Sequence, residues 1–213
     1  MNPVKLYRCQ ISMSDKIEKN YASLIESFLR LFMAKDYSEI TVGEVSDAAG
    51  MTRANFYGYF TGKDELLWKS FRYVFLESRE TVEELDPSTL LSDGKPLTFY
   101  LFENVRKNRD FYRRIFGQSI PSEFHSKLQD FLAAESYRTH ALLRERYAHK
   151  TYPYEFVSHY LSGAVLGLIS HLIRRDIDWD SELLAGWFTS LAAPGILSGF
   201  GKKSSAPKGE SES

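Results

Sequence analysis

Apolar residues in this chain recur at intervals of three and four rather than two, a pattern that predicts an all-α protein. Residues 14–34 place Ile17, Tyr21, Leu24, Ile25, Phe28, Leu31 and Phe32 along one helical face, with Ser14 positioned as N-cap. A break at Lys35-Asp36-Tyr37-Ser38 follows. Two short helices are expected next, over about 42–49 and 53–59, and then a long one over about 63–85. Asp86-Pro87 and Asp93-Gly94-Lys95-Pro96 mark a boundary, because proline is tolerated only in the first turn of a helix and Asp-Gly favours turns. Helical patterning resumes over 97–107, 109–116 and about 122–147. Pro153 opens a further helix to about Arg175, and Asp178-Trp179-Asp180 caps a last one ending near Ser198. Residues 201–213 are small and polar and are expected to form a disordered tail.

The segment Thr41 to Lys63 carries the most specific signal. Thr41 with Glu44 three residues later makes a capping box, and Val45, Ala48 and Ala49 supply a narrow apolar face. Gly50 stands where a left-handed turn residue is needed, and Met51 anchors the turn inside. Thr52 caps a second helix holding Arg53, Ala54, Asn55, Phe56, Tyr57, Tyr59 and Phe60. A helix, a tight glycine turn and a second short helix form the unit that lays a recognition helix in the major groove. Arg53 and Asn55 match guanine and adenine edges respectively. Tyr57 and Tyr59 can donate to phosphates, while Phe56 and Phe60 face inward. Lys63 opens the next helix, where free amides also favour phosphate.

Charge narrows where any nucleic acid would bind. The formal net charge of the 213 residues is −1, so no whole-chain field draws DNA in. From Met51 to Lys63 there are two cations and no acid, although Glu44 and Asp47 on the preceding helix offset them. The single cysteine, Cys9, cannot form an intrachain disulfide, which fits a reducing compartment. With no run of eighteen apolar residues and no signal-peptide pattern, the expectation is a cytoplasmic protein without a membrane partner.

In register, Thr41-Val42, Ala49-Gly50-Met51, Phe56-Tyr57-Gly58-Tyr59-Phe60 and Lys63-Asp64-Glu65-Leu66-Leu67 resemble the TetR family of bacterial regulators over about the first seventy residues. The resemblance implies a helix-turn-helix DNA-binding domain over 14–62, after an extension over 1–13. A helical ligand-binding and dimerisation domain would follow over 63–200. By the same resemblance, Thr41, Arg53, Ala54, Asn55, Tyr57, Tyr59 and Lys63 fall at DNA-contacting positions, and Thr52, the cap of the second helix, completes the expected DNA-binding set. Gly43 sits where some members carry a longer, DNA-contacting side chain.

In the second half, residues 154–173 are apolar on more than one face, so they must be buried on more than one side. Two helices meeting their symmetry mates would do this, as in the resembling family, with Tyr160, Leu161, Ala164, Leu168, Leu172, Leu184, Trp187, Phe188 and Leu191 at the dimer interface. The bland alternative is the core of a monomer. The middle helices are rich in aromatics (Phe99, Tyr100, Phe102, Phe111, Tyr112, Phe116, Phe124, Phe131 and Tyr137), which suit either ordinary core or a pocket for a small apolar or aromatic effector. No pocket residue is assigned. The five histidines lack metal-ligand spacing, and neither a phosphate loop nor a nucleophile elbow occurs, so no enzyme activity, metal or cofactor is expected. The function expected is a homodimeric repressor on a palindromic double-stranded DNA operator, released by an effector. The alternatives are a helical small-molecule binder or enzyme without DNA binding, and an effector-independent DNA-binding factor.

Overall fold

The computed structural model describes residues 15–76, 97–117, 119–141, 147–150, 152–198 and 200–202. The chain divides into two compact units, residues 1–70 and 71–213. The N-cap expected at Ser14, the end of the helix expected to reach 85, and the boundary prolines Pro87 and Pro96 all lie outside the described residues.

The first unit is built on α1 (Asp15–Ala34), followed by a 3-10 turn at Tyr37–Glu39. Next come α2 (Val42–Ala48), α3 (Arg53–Tyr57) and the first part of α4 (Lys63–Leu76). Leu24, Ile25, Phe28 and Phe32 of α1 are buried together with Ile40, Val45, Phe56, Phe60, Leu66 and Leu67. Of the expected inward stripe on α1, Ile17 is exposed, so the stripe starts its burial a turn later. Phe28, Phe32 and Tyr37 form an aromatic triad with centroids 5.6 to 6.5 Å apart. Such offset and edge-on pairs add to plain area burial.

The second unit contains α5 (Leu97–Lys107), α6 (Arg109–Gly117), α7 (Ser122–Ala141), α8 (Tyr154–Arg174) and α9 (Ser181–Ser198). Helix α8 packs mainly on α7 and also on α6, while α9 packs on α5. A short antiparallel pair joins β1 (Tyr147–Lys150) to β2 (Phe200–Lys202). This corrects two local expectations. Tyr147 belongs to a strand rather than to a helix end, and Gly201 and Lys202 pair instead of beginning the polar tail. A strand whose partner lies some fifty residues away leaves no helical or alternating period to detect.

Helix α8 ends in a left-handed turn made by Asp176, φ 53°. The Asp176 amide donates to Ile173 O and the Ile177 amide to Leu172 O, the paired bonds of a Schellman close. Arg109 and Arg113 both donate to the Asp176 carboxylate, at 2.9 and 2.6 Å, and Arg109 also lies over the Trp179 ring. These contacts offset the strain of a side chain at positive φ.

Among the described residues, α8 is the one helix long and apolar enough to cross a membrane by length and composition. Its apolar surface is divided between two faces. Val157, Leu161, Val165, Ile169, Leu172 and Ile173 are core, whereas Phe156, Tyr160, Ala164 and Gly167 are exposed.

Candidate nucleic-acid interface

The capping box at Thr41 is complete. Thr41 Oγ1 accepts from the Glu44 amide at 3.2 Å, and Glu44 Oε2 accepts from the Thr41 amide at 2.9 Å. Lys35 donates to the other carboxylate oxygen and, as the largest influence, holds the Glu44 carboxyl well below its usual range. At the far end of α2, Gly50 has φ +67°. Its amide donates to Asp47 O, and the Met51 amide donates to Ser46 O. That pair of bonds reverses the chain within two residues, so α3 begins at once.

Thr52 caps α3 by accepting from the Asn55 amide at 3.2 Å. The helix is held from beneath by Phe56, which is fully buried and packs on Phe60 and Tyr57 at 5.6 and 5.4 Å. Phe60 in turn stacks on Tyr21 of α1 at 5.2 Å. With one side pinned, the other side of the short helix faces solvent. Thr52, Arg53, Ala54, Asn55 and Tyr57 are all exposed, Tyr57 at 58%. Helix α3 therefore exposes a guanidinium, a carboxamide and a phenol to solvent, groups that serve guanine, adenine and phosphate contacts.

The other predicted residues are less available. Thr41 is exposed, but its hydroxyl also donates to Glu44, at 3.0 Å. Tyr59 is half-buried and its hydroxyl accepts from Asn20 Nδ2 at 3.2 Å, which leaves its own proton to give. Lys63 is turned inward: it donates to Tyr37 O at 2.8 Å and lies 4.2 Å from the centre of the Tyr37 ring. Loss of hydration lowers its pKa from the usual lysine value. Burial, and then the hydrogen bond to Asp64, raise the Tyr37 phenol, which stays protonated and donates to that carboxylate. For Lys63 to grip a phosphate, its bond to Tyr37 must open. Within residues 41–63, Arg53 is then the cation that no ion pair or hydrogen bond among the described residues engages.

Sequence reasoning passed over the supporting residues Asn20, Lys35 and Tyr37, which lie outside the turn motif. It noted Gly43 only as a missing contact, although Gly43 is buried beneath Arg53.

At the predicted dimer positions, Tyr160, Ala164, Trp187 and Leu191 are exposed, while Leu168 and Phe188 are partly covered. Leu161, Leu172 and Leu184 are buried within the chain and belong to its own core. Phe156, Leu183 and Gly167 are exposed on the same helices and were not among the expected interface residues.

The first unit defines a helix-turn-helix protein, and the second supplies a separate helical body. Comparison with known proteins places it further. Residues 24–68 match the family described as bacterial regulatory proteins, tetR family, and residues 95–192 match a transcriptional regulator C-terminal region. The chain belongs to the tetR family. It is 25% identical over 118 residues to the uncharacterized HTH-type transcriptional regulator YerO of Bacillus subtilis, a match covering 52% of this chain and 38% of that relative's length. Its fold is shared with NalD, the secondary repressor of the MexAB-OprM multidrug efflux pump in Pseudomonas aeruginosa, at TM-score 0.60, 20% identity, and coverage of 90% of this chain and 100% of that one. It is shared also with the fatty acid degradation regulator FadR of Bacillus halodurans, at TM-score 0.60, 18% identity, and coverage of 83% and 99%.

Proposed function

We propose that this chain is a DNA-binding transcriptional repressor that acts as a homodimer on a palindromic operator and is released by a small apolar or aromatic effector. The observation that carries the DNA reading is the exposure of Arg53, Asn55 and Tyr57 together on α3, which is backed by the buried aromatic rings of Phe56 and Phe60. Arg53 and Asn55 read base edges; Tyr57, Tyr59 and the hydroxyls of Thr41 and Thr52 contact the backbone, with Ala54 close enough for thymine methyls. Lys63 joins them if its bond to Tyr37 opens.

The dimer is supported by apolar stripes that the chain leaves uncovered on two helices of the second unit. On α8 these are Phe156, Tyr160, Ala164 and Gly167; on α9 they are Leu183, Trp187 and Leu191. Large exposed apolar side chains repeated at helical spacing mark an interface. A two-fold pair would present two copies of α3, which compensates for the small local charge and calls for a palindromic site.

The apolar character of the effector is supported by the second unit's interior. Phe71, Phe75, Val105, Tyr112, Phe116, Leu128, Leu132 and Ile169 surround a void of about 10 Å³, room for about one water. A ligand would have to part these side chains, and α4, which contributes Phe71 and Phe75, also begins at Lys63. The effector shifts DNA binding only if it favours one arrangement of α4 over another.

A gel-shift titration with the DNA flanking the protein's own gene tests the central statement. A sequence-specific complex that weakens as salt rises is expected. Binding that is absent, or indifferent to sequence, overturns it.

A further inference from the structure

The seat of Arg53 is the feature that the capping and turn chemistry leaves unexplained. Gly43 lies in the first turn of α2, where glycine is the poorest helix former apart from proline. Its φ lies outside the left-handed region, so no backbone conformation requires it. A side chain there would collide with one group. A Cβ built on Gly43 would come within 2.5 Å of Arg53 Nη2, 3.0 Å of Nε and 3.1 Å of Cζ. The guanidinium thus occupies the space that any other residue at position 43 would fill.

We infer that Gly43 is a specificity-determining positioning residue: by lacking a side chain it seats the Arg53 guanidinium against α2 and aims it at one base pair. The inference rests on the DNA reading above and deepens it. The guanidinium is planar and weakly hydrated, so it packs well on bare backbone. The seat uses none of its N–H donors, since Arg53 has no hydrogen bond or ion pair among the described residues. On this inference the arginine is restrained against α2 before DNA arrives, while its fork stays free for a bidentate contact. Restraint of this kind favours one geometry of the bound state without adding a contact. An alanine at 43 would push the guanidinium off the helix and return it to its many rotamers, while raising helix propensity in α2.

The test begins with duplexes selected from a random-sequence pool by the full-length wild-type chain. Binding of wild type, Gly43→Ala, Arg53→Lys, Arg53→Ala and the Gly43→Ala/Arg53→Ala pair is then measured on the selected duplex and on its single-base variants, at one salt concentration. Thermal denaturation of each variant is recorded alongside. Gly43→Ala is expected to keep or raise the melting temperature yet lose about tenfold in discrimination at one base pair, the size of one bidentate contact. Arg53→Lys should lose discrimination at that same base pair, because an ammonium lacks the fork. In the Arg53→Ala background, Gly43→Ala should change nothing. Discrimination by Gly43→Ala or Arg53→Lys that equals or exceeds wild type overturns the inference. So does a Gly43→Ala loss of equal size with and without Arg53, which would place the effect in the backbone. A pool that yields no enriched sequence overturns the DNA reading, and this inference with it.

Discussion

At the scale of single residues, Gly50 and Glu44 determine how α2 ends and begins. A Cβ at Gly50 would meet nothing within 4 Å, so its requirement is the positive φ alone. Gly50→Ala should lower stability by about 1–2 kcal/mol, the strain of a left-handed L-residue, in urea denaturation. Gly50→Asn should lose less, since asparagine visits that region readily. At the other end, the hydrogen bond from Lys35, followed by those from Thr41, lowers the Glu44 pKa from 4.5 to about 2. The folded value lies below the unfolded one. The contribution of Glu44 is therefore full above about pH 4.5 and is lost as pH falls toward 2. A carboxyl NMR titration should place the Glu44 midpoint near 2, and Lys35→Ala should move it upward. An unshifted wild-type midpoint would show that the ion pair does not persist in solution.

At the scale of elements, Asn104 ties three segments of the second unit together. Its side-chain amide donates to Val74 O on α4 at 3.0 Å, and its carbonyl accepts from the Tyr112 hydroxyl on α6 at 2.8 Å. Its own backbone carbonyl accepts from Asn108 Nδ2 at 3.0 Å. Asn104 is 3% exposed, so water cannot readily replace a lost partner. Asn104→Leu removes its bonds to the Val74 carbonyl and to the Tyr112 hydroxyl and should cost about 2–3 kcal/mol. Tyr112→Phe removes one bond and should cost about 1 kcal/mol, so the order of the two denaturation midpoints checks the arrangement. Because Tyr112 also borders the apolar void, it is where an entering ligand would meet this network.

At the scale of the whole molecule, the prediction concerns which apolar residues serve the chain and which serve a second copy. Leu191 is 84% exposed and Leu184 only 7%, though both were expected at the same interface. Leu191→Glu should leave the chain folded and convert the dimer to monomer in sedimentation velocity, with weaker operator binding as the second reading head is lost. Leu184→Glu should instead unfold the chain, because it buries an unpaired charge in the core. Should Leu191→Glu remain dimeric, the second copy does not sit on α9.

The sequence by itself determined what depends on neighbours a few residues apart. The helices, the Thr41–Glu44 box, the Gly50 reversal, the Thr52 cap and the exposed polar side chains of α3 were all legible, because capping and turn bonds close within five residues. Membership of the family followed from the same short motifs. Contacts between distant residues were decided by the tertiary structure. Lys63 turns to Tyr37, 26 positions earlier, and Arg53 lies on Gly43 only because the turn folds α3 back over α2. Helical periodicity marked α8 as apolar on several faces but could not say which face was core, so Leu161 and Leu172 were grouped with Tyr160 and Ala164. Burial is a property of docked helices, and docking is not written in the spacing of any one of them.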